Sequence, residues 1–189
     1  MQINFETSAS TNQTCYITTP QSSPCGQGSV PVYAVAVTSA EQIQKAVNFA
    51  RERNLRLVIK NSGHDYLGRS AGRGALEIWM HNMRSVVWSN DFVPEKCQSR
   101  YGEEAVTIGA GMQIKELYGA AAEKGKAFVI GLADTVGAAG GFIQGGGHSP
   151  LGPWKGMASD NALQFTVVTA DVSFQIICRY CPFSLCSSN

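Results

Sequence analysis

The hydrophobic and polar positions of the chain fall into two similar passages, each predicting a strand, a helix and a second strand. In the first, the apolar run at residues 31–37 predicts a strand, and Thr38 to Glu41 form a capping-box pattern at the start of a helix. The apolar positions behind this start recur at helical spacing, at Ile43, Ala46, Val47 and Ala50. Further strands are predicted at residues 56–60 and 74–80.

The second passage repeats this order after residue 103. Residues 104–111 predict a strand, and a helix follows over residues 113–124, with Gly125 placed to end it. Its apolar face is Ile114, Leu117, Tyr118 and Ala121. Strands are predicted at residues 127–130 and 163–171, on either side of a glycine-rich segment. Two strand–helix–strand units indicate two α+β lobes with glycine-rich connections.

Composition and charge exclude several classes of partner. Hydrophobic residues make up 44% of the 189 residues and charged residues 15%, which is typical of a folded domain. The net charge of +1 gives no electrostatic reason to expect nucleic acid or an anionic membrane as partner. No apolar run reaches the roughly 20 residues that span a bilayer. The first residues are too polar for a signal peptide.

The cysteines near the beginning point to an oxidising compartment. Cys15 and Cys25 flank a segment rich in proline, serine and threonine, which suits a small disulfide loop. Asn12 begins a glycosylation acceptor pattern beside them. Two unrelated thiols and an unused acceptor are the alternative interpretation.

The glycine-rich connections fail the tests for three familiar sites. In a dinucleotide fingerprint that starts at Gly109, the third glycine would stand at position 114, where this chain has isoleucine. No glycine-lysine-serine/threonine triplet ends a phosphate loop. Ser149 is followed by Pro150, which has no N–H for the oxyanion hole of a serine hydrolase.

Metal binding also lacks a pattern. The three histidines, His64, His81 and His148, are far apart in sequence, and the pair Cys178 and Cys181 has no second pair. We therefore expect no metal site.

Two glycine-rich loops that each follow a strand remain to be explained. Backbone N–H groups of such loops can bind a pyrophosphate, because glycine permits positive φ and a close approach. The alternative is that each loop is only a tight turn.

Two segments, residues 56–83 and 134–171, resemble the berberine-bridge-enzyme-like FAD-linked oxidases of the vanillyl-alcohol-oxidase superfamily. The resemblance is to their fungal secreted branch and covers about Asn12 to Asp171. It implies the two-lobed α+β PCMH-type FAD-binding domain of that superfamily, with FAD between the lobes. The first loop would hold the pyrophosphate, and His64 matches the histidine that is bonded to the 8α-methyl of the flavin. The residues implied there are Asn61, Ser62, Gly63, His64, Asp65, Tyr66, Gly68 and Ser70.

The second loop matches the other flavin wall of the family. The residues implied are Thr135, Val136, Gly137, Gly140, Gly141, Gly145, Gly147, His148 and Ser149, with Asp160 and Asn161 near the nucleotide. Many relatives carry a cysteine, forming a second flavin bond, where this chain has Ala133. A single covalent bond through His64 is therefore expected.

The resemblance stops after Asp171. We expect an N-terminal segment at 1–30, a partial FAD-binding domain at 31–171, incomplete at its C-terminal end, and an unrelated tail at 172–189. The tail is interpreted as a gene-model or truncation artefact such as a translated intron or a frameshift, and the missing signal peptide suggests that the beginning is also cut.

The implied function is oxidation of an alcohol, sugar or secondary metabolite by FAD, with O₂ as electron acceptor. The catalytic base and the substrate pocket would lie mainly outside this chain, so no catalytic residue is assigned. The family implies secretion, although this chain begins with no signal peptide. A non-catalytic FAD-binding fragment or an inert fragment is the alternative.

Overall fold

The computed structural model describes residues 18, 20–23, 28–95 and 102–178. It contains two compact units, divided after Asn82. Each combines strands with helices, as the α+β prediction requires. The predicted disulfide loop and glycosylation pattern, at Cys15, Cys25 and Asn12, lie outside the described residues. No helix of the described part is long and apolar enough to cross a membrane.

The first unit is built on a parallel three-stranded sheet. Its strands are β1 (Tyr33–Ala36), β2 (Leu57–Lys60) and β3 (Leu76–Trp79), and β3 lies in the centre. Helix α1 (Ala40–Glu52) connects β1 to β2, and a 3₁₀ turn (Met80–Asn82) follows β3. Parallel strands need such a crossover connection, and a crossover helix lies on one face of the sheet. One face of the helix is therefore apolar and buried.

The start of α1 lies one residue beyond the prediction. Ser39, rather than Thr38, is the N-cap, and its hydroxyl accepts the Gln42 N–H at 3.4 Å. The Gln42 side chain accepts the Thr38 N–H at 2.8 Å. In the predicted capping box, the Glu41 side chain would accept this N–H. Of the predicted face, Ile43, Ala46 and Ala50 are buried and Val47 is half-buried.

The described part of the second unit contains two antiparallel strand pairs. Strands β4 (Val86–Phe92) and β5 (Glu103–Ile108) form one pair, and β6 (Gln164–Val168) and β7 (Phe174–Cys178) form the other. The sequence analysis predicts neither β4 nor β7. The hairpin that includes β7 closes through Thr169, whose N–H donates to the Ser173 carbonyl at 3.0 Å.

Strand β7 begins inside the residues that the sequence analysis assigns to an unrelated tail. Cys178 at its end is buried and disulfide-bonded. The origin of residues 172–189 stays a prediction, but five of them pair with β6 as a regular strand.

Helix α2 (Ile114–Glu123) agrees with its predicted bounds. Gln113 and Glu116 form a capping box at its start. Gly125 ends it with φ +62°, and the Lys126 N–H donates to the Ala121 carbonyl at 2.9 Å. The prediction of a glycine stop is therefore confirmed.

The core of the second unit forms where α2 meets the glycine-rich segment. Its buried members are Met112, Ile114, Leu117, Ile130 and Ala138. The predicted strand at residues 127–130 is wrong, since these residues have no strand pairing. Phe128 and Ile130 pack in this core, and the Tyr118 hydroxyl donates to the Gly131 carbonyl at 2.8 Å.

The remaining elements of the second unit are short. They are a π-helical turn (Ala138–Phe142), helix α3 (Gly152–Lys155) and a 3₁₀ turn (Ser159–Asn161).

Candidate functional site

The first glycine loop, Asn61–Ser70, leaves the carboxyl end of β2 and contains every predicted site residue of the first unit. Gly63 and Gly68 have φ of +89° and +71°. A residue with a side chain is strained in this region, so both positions require glycine. These two residues turn the loop on either side of the segment that carries His64.

An ion pair closes the second half of the loop. Arg69 donates to the Asp65 carboxylate from both Nε and Nη2, with Nη2 at 2.7 Å, and the Arg69 backbone N–H donates to it as well. The Gly68 N–H donates to the Asp65 carbonyl at 3.0 Å. The hydrogen bonds from the Arg69 side chain lower the pKa of Asp65 from 3.8 to about 2.

Acid is therefore expected to loosen this loop. Because the folded pKa of Asp65 lies below its ordinary value of 3.8, its contribution to stability is present above that value and is lost as pH falls toward 2. We expect the free energy of unfolding to fall more steeply in this window for wild type than for Asp65→Asn. Denaturant titrations of the two proteins at several pH values measure this difference, and parallel pH profiles would contradict it.

His64 is half-buried within the loop, whereas its neighbours Tyr66 and Leu67 are 84% and 77% exposed. The loop therefore carries a half-buried imidazole close in sequence to an exposed aromatic and an exposed aliphatic side chain. Glycines at positive φ allow a ligand to approach the backbone of such a loop closely.

The second glycine segment, residues 133–149, begins by pairing with the start of α2. The Ile114 N–H donates to the Val136 carbonyl and the Lys115 N–H to the Asp134 carbonyl, both at 3.0 Å. These N–H groups of the helix start therefore already have acceptors. This contact agrees with the rejection of a dinucleotide fingerprint at Gly109, whose missing third glycine is Ile114.

Gly146 and Gly147 hold the end of this segment against residues 157–159. Their φ values are +93° and +73°, and their carbonyls accept the N–H groups of Ser159 and Ala158 at 3.0 and 2.9 Å. A Cβ on Gly147 would lie 2.7 Å from both Ala158 and Phe142. The close packing explains why glycine is required here.

The polar residues that follow have structural contacts. His148 is exposed, and its ring lies 6.4 Å from that of Phe142. The Ser149 hydroxyl accepts the Leu151 N–H at 3.2 Å. Asp160 accepts the Met157 N–H at 2.8 Å, and the Asn161 amide donates to the Lys155 and Met157 carbonyls.

The structure thus gathers the predicted residues into two groups. Asn61, Ser62, Gly63, His64, Asp65, Tyr66, Gly68 and Ser70 share one loop of the first unit. Thr135, Val136, Gly137, Gly140, Gly141, Gly145, Gly147, His148, Ser149 and Asp160 belong to one glycine-rich region of the second. Within the described residues, no group of three or more histidine, cysteine or acidic side chains could hold a metal ion.

The sequence analysis missed the residues beneath the first glycine loop. Lys60 Nζ lies 2.7 Å from the carboxylate of Glu77, and the Trp79 indole N–H donates to the Asn61 carbonyl at 3.1 Å. A charged residue inside the apolar run at residues 74–80 was the signal that could have found Glu77.

Comparison with known proteins gives a consistent result. A family model described as "FAD binding domain" matches residues 31–175. An uncharacterized FAD-linked oxidoreductase of Arthroderma benhamiae is 57% identical over 173 residues, which cover 91% of this chain and 29% of that protein. The match to the family model ends inside β7.

Solved structures agree with this result. The VAO-type flavoprotein MtVAO615 from Myceliophthora thermophila C1 matches with a TM-score of 0.75 and 45% identity, covering 81% of this chain and 27% of that one. A 6-hydroxy-D-nicotine oxidase from Arthrobacter nicotinovorans matches with a TM-score of 0.68 and 26% identity, covering 79% and 30%. The chain spans less than a third of the length of these relatives.

Proposed function

Because the chain belongs to the FAD binding domain family, we propose that it is the cofactor-binding part of an FAD-linked oxidoreductase. The observation that carries this proposal is the family match over residues 31–175, which includes both the first glycine loop and the second glycine segment. When bound, FAD supplies a ring that accepts a hydride from a substrate carbon.

The first glycine loop is the proposed pyrophosphate site. Its glycines at positive φ allow the backbone to approach a phosphate closely, and N–H groups rather than free cations would neutralise it. The Arg69 guanidinium is bound by Asp65, and the Lys60 ammonium by Glu77. These pairings favour backbone recognition in this loop.

His64 is the proposed covalent anchor. A neutral imidazole nitrogen can form a bond to the 8α-methyl carbon of the flavin. The new N–C bond replaces one N–H and one C–H bond, and O₂ accepts the two hydrogens in the net reaction as H₂O₂. The half-buried position of His64 in a polar loop supports access to such a partner. Ala133, an exposed residue without a nucleophile, leaves His64 as the single anchor.

The proposed reaction of the whole protein is oxidation of an alcohol, sugar or secondary metabolite with reduction of O₂ to H₂O₂. Support comes from the relatives, which are named FAD-linked oxidoreductases and VAO-type flavoproteins. Secretion is proposed with it, since Cys178 is disulfide-bonded and disulfides persist mainly in oxidising compartments.

Expression of the chain in an oxidising secretory compartment tests this function. We expect a yellow protein whose flavin fluorescence stays with the band on a denaturing gel, because a covalent bond survives unfolding. Peroxide formation with a panel of alcohols and sugars then tests turnover by this chain.

The possible results separate the alternatives. Bound flavin without peroxide would favour a cofactor-binding part that needs the rest of its protein for catalysis. A folded chain that takes up no flavin would overturn the proposal, and colourless aggregates would favour an inert fragment.

A further inference from the structure

Glu77 is a buried carboxylate in the central strand of the parallel sheet, and it is 3% exposed. In the pairing of β2 with β3, Glu77 lies opposite Val58. Lys60, two residues further along β2, places its Nζ 2.7 Å from the Glu77 carboxylate. The carboxylate of this pair is buried, whereas the lysine side chain is 29% exposed. Such a pair is weak evidence for a role in stability, and its position below the first glycine loop suggests a different role.

The lysine of this pair supports the loop that follows it. A Cβ on Gly63 would lie 3.5 Å from the Cδ of Lys60, so the lysine stem runs beneath the Gly63 backbone. Because Glu77 holds the ammonium at the far end, the stem cannot swing away without breaking the ion pair. Gly63 directly precedes His64.

Trp79 supplies a second contact from the same face of β3, two residues beyond Glu77. Its indole N–H donates to the Asn61 carbonyl at 3.1 Å, and its ring lies 5.7 Å from Lys60 Nζ. Residues 60–63 are thus held from below by two side chains of one strand.

We propose that Glu77 and Trp79 are positioning residues that hold residues 60–63 so that His64 meets the flavin. This inference rests on the proposed function and concerns the same loop. Glu77 acts through the Lys60 stem, and Trp79 acts through the Asn61 carbonyl. Neither residue needs to touch the cofactor.

The test compares Trp79→Phe, which removes one N–H donor, and Glu77→Gln, which removes one charge at constant size. Three quantities are measured: the rate of covalent FAD attachment to the cofactor-free chain, the FAD dissociation constant in a His64→Ala background, and hydrogen exchange of residues 59–67 without FAD. We expect the attachment rate to fall, the dissociation constant to rise and hydrogen exchange to become faster. Each quantity should change by about fivefold for Trp79→Phe and about tenfold for Glu77→Gln, since charge-assisted hydrogen bonds are the stronger class.

Matched controls make the same chemical changes elsewhere. Trp154→Phe alters a tryptophan that is 75% exposed in the second unit, and Glu104→Gln breaks the exposed ion pair with Lys126. Both are expected to leave all three quantities as in wild type. Bound flavin per total chain at saturating FAD separates positioning from lost folding, since a lower folded fraction reduces this amount and a misplaced His64 does not.

Variants that behave like their controls would overturn the inference, as would attachment that falls only in proportion to the folded fraction. If wild type binds FAD without attaching it, the covalent step of the proposed function is wrong, and the affinity and exchange measurements decide the role of Glu77 and Trp79. If wild type binds no FAD, the proposed function fails, and exchange alone decides whether β3 holds the loop.

Discussion

Replacement of His64 by alanine is expected to abolish the flavin fluorescence that stays with the denatured chain. In the proposed function, the imidazole is the only nucleophile that forms the bond, and the methyl of alanine cannot replace it. The loop should keep its fold, because His64 is half-buried and the Asp65–Arg69 pair and the Trp79 contact are unchanged. Mass spectrometry of the peptide containing residue 64 measures the loss directly.

His148→Ala is the matched control for this variant. His148 is exposed and lies in the second glycine segment, where the resemblance implies flavin contact without a covalent bond. We expect it to retain the covalent adduct on the residue 64 peptide. An adduct that survives in His64→Ala, or that appears on another peptide, would contradict the proposed anchor.

Local signals predicted much of the fold because they depend on neighbours in sequence. The face of α1, the bounds of α2 and the glycine stop after it follow from periodicity and from capping, which act within a few residues. The start of α1 was misplaced by one residue, because Thr38 and Ser39 can both cap a helix and side-chain competition decides between them.

The errors arose where long-range packing decides the structure. Residues 127–130 are as apolar as a strand, but they form none, and Phe128 and Ile130 pack in the core around Leu117. Strand β7 is defined by its pairing with β6, and no pattern within residues 174–178 alone predicts that pairing. For the same reason the sequence motif located the first glycine loop but not its support by Glu77 and Trp79.

Gly147→Ala is expected to destabilise the second unit strongly. A residue with a side chain at φ +73° costs about 1–2 kcal/mol. The new methyl would also lie 2.7 Å from the Ala158 Cβ and from Phe142 Cε1, and overpacking of this kind costs about 1–3 kcal/mol. We expect the free energy of unfolding to fall by about 2–5 kcal/mol, a large part of the roughly 5–15 kcal/mol of a typical domain. Urea denaturation followed by tryptophan fluorescence measures it.

Gly141→Ala provides the comparison within the same segment. A Cβ at Gly141 meets no atom within 4 Å, and its φ is not in the positive region, so the methyl enters open space beside the kink at Gly140. Alanine there should leave the free energy of unfolding unchanged or raise it by up to about 1 kcal/mol, because it restricts the unfolded chain. Equal destabilisation by the two variants would show that glycine is needed in this segment for flexibility rather than for the packing of Gly147. A Gly141→Ala protein that is stable but binds FAD more weakly would instead place the cofactor against this open surface.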